Sequence, residues 1–462
     1  MKKRITLKQG CIRFLCCYIF VAVGFYLIAG EQLKYKSAST INSNLNKYEV
    51  VGELYDGKSI EHEFISDTEA ISSLSLVFAT FNRVNSGEIE VDIIDKQNQS
   101  TILTQMIDAS ELKDNSIYTI EFSAPLEGLL GKEIIVRVIS NTQSVENAVT
   151  LYKNETGSLS FSVDAKSIIP FGKYYYIFIT ILGIVLGSYS LNLIYKEKKN
   201  KRSYGLAVIN SFKRYKFLLD QLVARDFKTK YKRSVLGVLW SFLNPLLTML
   251  VQYIVFSTLF KSDIPNFLLY LLIGVIFFNF FSEATSMSLG SITSNASLIT
   301  KVYVPKYIYP IARILSSSIN LFLSLIPLFV VALMTGTNIT WSYLILPFSI
   351  ICMIAFCLGM GFILSSSMVF FRDTQFLWGV VSMMWMYATP IFYPETIIPP
   401  QFMAIYKMNP LYHIIRFTRT IIIDGVSPEP KAYLLCFTAS FVTLIVGAII
   451  FKKTQDRFVL HI

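Results

Sequence analysis

Five cationic side chains fall within a short stretch at Arg225, Lys228, Lys230, Lys232 and Arg233, with Asp226 the only acid among them. Guanidinium and ammonium groups at that density suit oxyanions: Arg grips phosphate oxygens in forked pairs, and Lys acts as a mobile point charge. Directly afterwards the chain carries no charge from Ser234 to Phe260. An uncharged run of that length exceeds the ~20 apolar residues that cross a bilayer's hydrocarbon core. A cationic foot leading through one Gly and one Trp into a spanning helix gathers anions at a membrane surface, on the side where Lys and Arg accumulate. Anionic lipid headgroups are attracted there too, by about 1 kcal/mol per basic residue, so a dedicated anion and the lipid itself stand as compatible ligands.

Other chemistry is thinly supplied. His62, His413 and His461 are isolated and give no metal-ligand spacing. The cysteines at 11, 16, 17, 352, 357 and 436 all lie in or beside apolar runs, where a small apolar filler is their ordinary use. Proton coupling would need ionisable groups at membrane depth, and the spans offer Glu283, with Arg313 at the start of the next apolar run as its expected partner. Glu395, Arg416, Arg419 and Asp424 are the acids and bases a membrane glycosyltransferase or ligase would have to use on the outer side, and they show no catalytic spacing.

The elements that position these residues alternate between membrane and water. The chain has 462 residues, 53% of them apolar and only 16% charged, a mixture that predicts spanning helices joined to a soluble block. Residues 1–30 form a basic start and a first spanning helix. No small-x-small cleavage pattern precedes Glu31, so this helix is expected to stay as an anchor. Residues 31–168 hold most of the acidic groups and no cysteine. Strict alternation at Glu88–Ile93, and the shared face of Tyr118, Ile120 and Phe122, predict half-buried strands. Further strands are expected at 73–80, 101–106, 133–139, 147–152 and 158–163, giving an extracellular all-β, jelly-roll-like sandwich without disulfides.

Residues 169–204 read as a second spanning helix and a basic stop at Lys196–Arg202. In 205–462, Val208, Phe212, Tyr215, Leu219 and Leu222 form an amphipathic stripe suited to the inner leaflet's interface. Six more apolar segments follow, about 235–260, 267–290, 309–335, 342–366, 376–390 and 432–451. Eight crossings return the C-terminus to the cytosol, in keeping with Lys452, Lys453 and Arg457. Between 391 and 431, prolines interrupt apolar pieces that are expected to re-enter the membrane where protein shelters their backbone.

Three groups of residues, in this order, resemble the permease of ABC-2 type exporters that move lipid-linked polysaccharide, O-antigen, capsule or teichoic acid. They are the foot and span at 225–247; Asn295-Ala-Ser-Leu-Ile-Thr-Lys-Val-Tyr-Val-Pro-Lys306 with Pro310; and Phe371-Arg-Asp-Thr-Gln375 followed by Thr389-Pro-Ile-Phe-Tyr-Pro394 and Asn409-Pro-Leu411. The resemblance covers 205–462 and leaves the first 200 residues as an addition.

It implies an α-helical polytopic membrane protein: a six-helix permease core, plus two extra N-terminal spans carrying the β-domain. It also implies a transporter subunit and not an enzyme, a homodimer, and two copies of a separate ATPase that holds ATP and Mg, with no cofactor or metal bound by this chain itself and no nucleic acid as partner. Ser297, Lys301, Tyr303, Val304 and Lys306 match the short helix that couples such permeases to their ATPase. The cations at 225–233 lie where the pyrophosphate of a lipid-linked glycan would approach. Trp385, Tyr387, Phe392 and Tyr393 sit near the re-entrant mouth and offer flat faces for a passing sugar chain. An exporter of small lipids or drugs remains the alternative. The outer sandwich is free to bind the emerging glycan, to contact a cell-wall partner or to shield the exit.

Overall fold

The computed structural model describes residues 6–461 apart from 38–44, 46, 48, 84, 143–147, 156, 157, 233, 261–265, 302 and 303. It divides into two compact units, Glu31–Tyr176 and Met1–Gly30 with Ile177–Ile462.

The first unit holds ten strands: β1 Tyr35–Ser37, β2 Glu49–Val50, β3 Ser59–Ile65, β4 Ala70–Ala79, β5 Glu88–Asp95, β6 Ser100–Asp108, β7 Ser116–Glu127, β8 Glu133–Ser140, β9 Thr150–Lys153 and β10 Phe161–Ile168. Antiparallel ladders build one sheet in the order β1-β10-β4-β9-β2, with β7 also on β4, and a second in the order β3-β8-β5-β6. Period-two alternation puts Leu74, Leu76 and Phe78 of β4 in one core with Ile89, Val91 and Ile93 of β5 and Val136 and Val138 of β8. The two sheets therefore pack as a sandwich. Strand β3 was absent from the sequence expectation. Its inward position at His62 is filled by a ring that packs edge-on against Phe161, so a polar residue hid the alternation.

The second unit is helical: α1 Leu7–Lys34, α2 Pro170–Lys198, α3 Tyr204–Tyr231, α4 Trp240–Phe260, α5 Phe267–Leu289, α6 Ala296–Lys301, α7 Ile308–Met334, α8 Leu346–Phe370, α9 Thr374–Tyr387, α10 Met403–Met408, α11 Pro410–Ile422 and α12 Pro430–Thr454. Among the described residues, seven helical stretches are long and apolar enough to cross a membrane. The segment expected at 376–390 is not one of them. Helix α9 has 14 residues, about 21 Å at ~1.5 Å per residue, which falls short of a ~30 Å core. The chain crosses back there nonetheless. Phe348 meets Tyr433, Phe362 meets Phe451 and Thr454 Oγ1 reaches Ser366 Oγ, so α8 and α12 run in the same sense and residues 371–429 return from one end to the other.

Helix α5 is the buried centre of this unit, packed by α4, α7 and α8. Helices α1 and α2 expose apolar rows, with Phe20 and Leu27 about four-fifths accessible, as side chains that face lipid do. Two glycines bring α8 and α12 together. A Cβ on Gly447 would lie 2.2 Å from Gly359 O, and one on Gly359 would lie 2.4 Å from Thr443 O. Because the obstacle is backbone, no rotamer change relieves it, and small residues at such crossings let helices approach closely in lipid. Gly447→Ala is expected to lower the thermal unfolding temperature of the detergent-purified chain, with overpacking costing about 1–3 kcal/mol. Gly24→Ala, whose Cβ meets nothing within 4 Å, serves as the control that leaves it unchanged.

Candidate functional site: a cationic pocket beneath the helical core

Helix α3 carries Arg225, Lys228 and Lys230 on its last turns, and Lys232 follows its end. Only part of its apolar stripe is covered by protein: Leu219 and Leu222 are buried with Tyr309 and Ala312 of α7, whereas Val208 and Phe212 stay exposed. Gly237, at φ +50°, turns the chain into α4, a left-handed conformation that a side chain would oppose.

Packing α3 against α5 and α7 pairs two of the foot's cations, Arg225 and Lys230, with acids and brings in Arg313 of α7. Asp226 is nearly enclosed and receives Arg225 Nη2 at 3.1 Å and Arg313 Nη1 at 3.2 Å. Lys230 Nζ donates to Glu283 Oε1 at 2.8 Å. The expected Glu283–Arg313 pair is thus replaced by two others, because α3 inserts a carboxylate beside Arg313 and an ammonium beside Glu283. Lys228 and Lys232 remain exposed, and Arg233 lies outside the described residues.

A hydrogen-bonded chain extends from Glu283 into the core. Asn320 Nδ2 donates to Glu283 Oε1 at 2.7 Å, and Tyr231 Oη donates to Asn320 Oδ1 at 2.9 Å with Ser241 Oγ 2.6 Å from Tyr231 Oη. Pro245, one turn into α4, has no N–H for the carbonyl of Ser241. Ser324 Oγ occupies that acceptor at 3.0 Å. Two cavities meet at the Lys230–Glu283 pair. One, of about 540 Å³, is lined by Arg225, Asp226, Lys230, Glu283, Asn295 and Arg313; the other, of about 280 Å³, lies among α4, α5 and α7.

None of Asp226, Tyr231, Ser241 or Asn320 was singled out in the sequence as part of a site. The available signal was spacing. Asn279 and Glu283 are four apart on α5, and Ser317, Asn320 and Ser324 are three and four apart on α7, which sets polar groups in otherwise apolar helices on one face.

The other expected residues fall elsewhere. Ser297 and Lys301 are exposed on and beside the short helix α6 while Ile299 packs inward; Val304 is partly buried against the same inner cluster. Lys306 Nζ donates to Gln455 O at 2.6 Å, fastening this loop to the end of α12. Tyr303 lies outside the described residues. At the opposite end, Phe392 is buried and stacked on Phe256, and Trp385 packs on Phe281 and donates to Asn409 Oδ1 at 2.8 Å. Tyr393 Oη donates to Tyr387 O at 2.7 Å, and the Tyr387 side chain is exposed. The four aromatics thus serve unequal parts, with Tyr387 the one most open.

Arg419 is no exposed acid–base group. Its guanidinium is buried, donates to Pro390 O at 2.7 Å and Tyr270 O at 3.1 Å, and lies 3.3 Å over the Tyr270 ring. It ties α11 and the Pro390 loop to the first turn of α5. Residues 52–59, GELYDGKS, have the spacing of a phosphate-binding loop, which the expectation that this chain holds no ATP itself overlooked. They run into strand β3, though, with no helix following, so the helix N-terminus that holds phosphate in such loops is missing.

A polytopic helical unit with a cationic foot, a short loop helix and a run of short helices before its last span is the architecture of a membrane transport subunit. Residues 218–423 match the ABC-2 type transporter family. The O-antigen export system permease protein RfbA of Klebsiella pneumoniae is 33% identical over 250 residues, covering 52% of this chain and 95% of that protein. RfbA of Myxococcus xanthus is 28% identical over 255 residues, 55% of this chain and 98% of that protein. The polysialic acid transport protein KpsM of Escherichia coli is 27% identical over 261 residues, 54% and 97% respectively. The chain belongs to the ABC-2 type transporter family, and it is a multi-pass membrane protein.

Asp226 is the acid on which two arginines depend. Asp226→Asn is expected to destabilise the detergent-solubilised chain by about 1–3 kcal/mol, less than breaking a fully buried pair costs, because Arg225 is half exposed. Adding Arg313→Met should recover part of the loss in a double-mutant thermal-unfolding cycle. Additive losses would mean the two side chains do not interact.

Proposed function

We propose that this chain is the transmembrane subunit of an ATP-driven exporter that carries a lipid-linked polysaccharide or teichoic-acid-like polymer from the cytosolic to the outer face of the cell membrane. The observation that carries this reading is the cationic pocket at the end of α3, in a chain similar to permeases named for O-antigen and polysialic acid export. A polyprenyl pyrophosphate presents a compact polyanion at the inner leaflet. Arg225, Lys228, Lys230, Lys232 and Arg233 would receive it. The clamped members, Arg225 and Lys230, would exchange carboxylate for phosphate, while Lys228 and Lys232 have no acid partner among the described residues.

The chain would work as a homodimer with two copies of a separate ATPase, which holds ATP and Mg. Ser297, Lys301, Tyr303, Val304 and Lys306 would form the contact through which that ATPase drives the helices. Lys306, fastened to the end of α12, would pass movement to the C-terminal helix. The Lys and Arg clusters at 196–202, 225–233, 301–306 and 452–457 support cytosolic termini, with residues 31–168 outside. Trp385, Tyr387, Phe392 and Tyr393 would shape the outer end of the path, Tyr387 by contact with sugar and the others by supporting the re-entrant segment.

Lys228→Ala with Lys232→Ala tests the headgroup role without disturbing a buried pair. At about 1 kcal/mol each, the two changes are expected to weaken capture of the anionic head roughly 30-fold and to deplete surface polymer on immunoblots of whole cells, with membrane levels and dimer assembly unchanged. Undiminished surface polymer in that variant would remove the foot from the substrate's path.

A further inference from the structure

The smaller cavity differs in chemistry from its cationic neighbour. Its lining mixes apolar side chains such as Ile276 and Leu321 with Trp240, Asn244, Asn279, Ser317 and Asn320, and its one cation, Lys230, is offset by Glu283. Ser317 is 1% exposed, and its hydroxyl is buried without a hydrogen-bond partner. Leaving such a group unpaired is costly unless a ligand or water satisfies it. The Asn279 amide makes no side-chain hydrogen bond among the described residues, although it sits between phenylalanines on the most buried helix. Glu283 takes both Lys230 and Asn320 on Oε1, which leaves Oε2 as an acceptor among the described contacts.

From this we infer that the cavity is a subsite for one sugar ring, the first residue of the glycan attached to the lipid pyrophosphate. The inference rests on the proposed function and deepens it. Its volume of about 280 Å³ lies just below the ~300–1,000 Å³ range of pockets for drug-sized ligands, room for a single ring and not for a chain. Its position follows from the substrate's covalent structure. In a glycosyl pyrophosphate the anomeric carbon is bonded directly to a phosphate oxygen, so a neutral polar pocket for the sugar must abut the cationic one. The two cavities do abut, sharing Lys230 and Glu283. Amides and a carboxylate match a ring's hydroxyls as donors and acceptors, and an indole supplies a flat face for its C–H surface. The subsite therefore selects a sugar-bearing lipid over the bare lipid pyrophosphate that shares the membrane with it.

The test uses the purified full-length chain in phosphatidylcholine nanodiscs. Binding of farnesyl pyrophosphate is compared with that of farnesyl pyrophosphoryl glucose and farnesyl pyrophosphoryl N-acetylglucosamine. The wild-type chain is expected to bind at least one sugar-bearing probe about tenfold more tightly than farnesyl pyrophosphate, the advantage of one or two added hydrogen bonds. Asn279→Leu with Ser317→Val should erase that advantage while keeping the affinity for farnesyl pyrophosphate. Equal wild-type affinity for all three probes would overturn the sugar subsite and leave the headgroup reading standing. An advantage that survives in the double variant would also overturn it, placing the sugar elsewhere. Absence of binding by every probe would sink both readings together. The wild-type comparison decides the matter even where the variant folds poorly.

Discussion

The cations that α3 brings against α5 and α7 have to be neutralised where they pack, and the carboxylates of Asp226 and Glu283 do so. Asp226 holds two arginines from different helices, and Glu283 holds Lys230 and Asn320 through a single oxygen. Asp226 is the enclosed member, and without its arginines that buried carboxylate would carry a desolvation cost. With the acids in place, α3 can be fastened to α5 and α7 by its charged face as well as by Leu219 and Leu222. The same arrangement keeps the cations available. Three of them face two acids, so an incoming dianion meets a site with residual positive charge that need only exchange partners.

The opposite end is fastened by different means. Arg419 satisfies its guanidinium on backbone carbonyls of the Pro390 loop and of Tyr270 without a carboxylate partner. Gly274 leaves room for it, since a Cβ there would lie 2.8 Å from Ile391 Cγ2 and 3.1 Å from Arg419 Nη2. The irregular segment around Pro390 is thus locked to α5 as one piece. Its backbone groups are met by side chains: Arg419 donates to Pro390 O, Tyr270 to Tyr393 O, and Asn409 Oδ1 accepts from Leu411 N. The end that carries the cations of α3 is held by exchangeable ion pairs and the Pro390 end by a buried fastening, an asymmetry that fits binding at one end and a stable path at the other.

What the sequence made legible was periodic. Uncharged runs of sufficient length marked the long helices, and alternation at 88–93 marked β5, because both signals arise from one segment's own contact with its surroundings. Pairings between segments were not legible. Glu283 and Arg313 look like neighbours in an apolar landscape, yet the insertion of α3 gives each a different partner, and only the three-dimensional packing of α3 on α7 reveals it. Asp226 stood among the cations as a lone acid and is the group that joins two of them. The crossing at 376–390 was expected from hydropathy, and what reveals that the chain does return there is the parallel run of α8 and α12, since α9 by itself is too short. The GELYDGKS segment shows the converse: its spacing fits a phosphate loop, but the strand that follows denies it the helix terminus on which that chemistry depends.

The central claim is that this chain moves an anionic lipid-linked polymer outward with energy supplied by another subunit. It is tested most directly in proteoliposomes containing the purified chain with its cognate ATPase, by following ATP-dependent transfer of a radiolabelled lipid-linked glycan to the opposite leaflet. The expected result is transfer that requires both proteins and ATP hydrolysis. Transfer by the chain alone without ATP, or no transfer when both proteins are present and hydrolysing ATP, would contradict it.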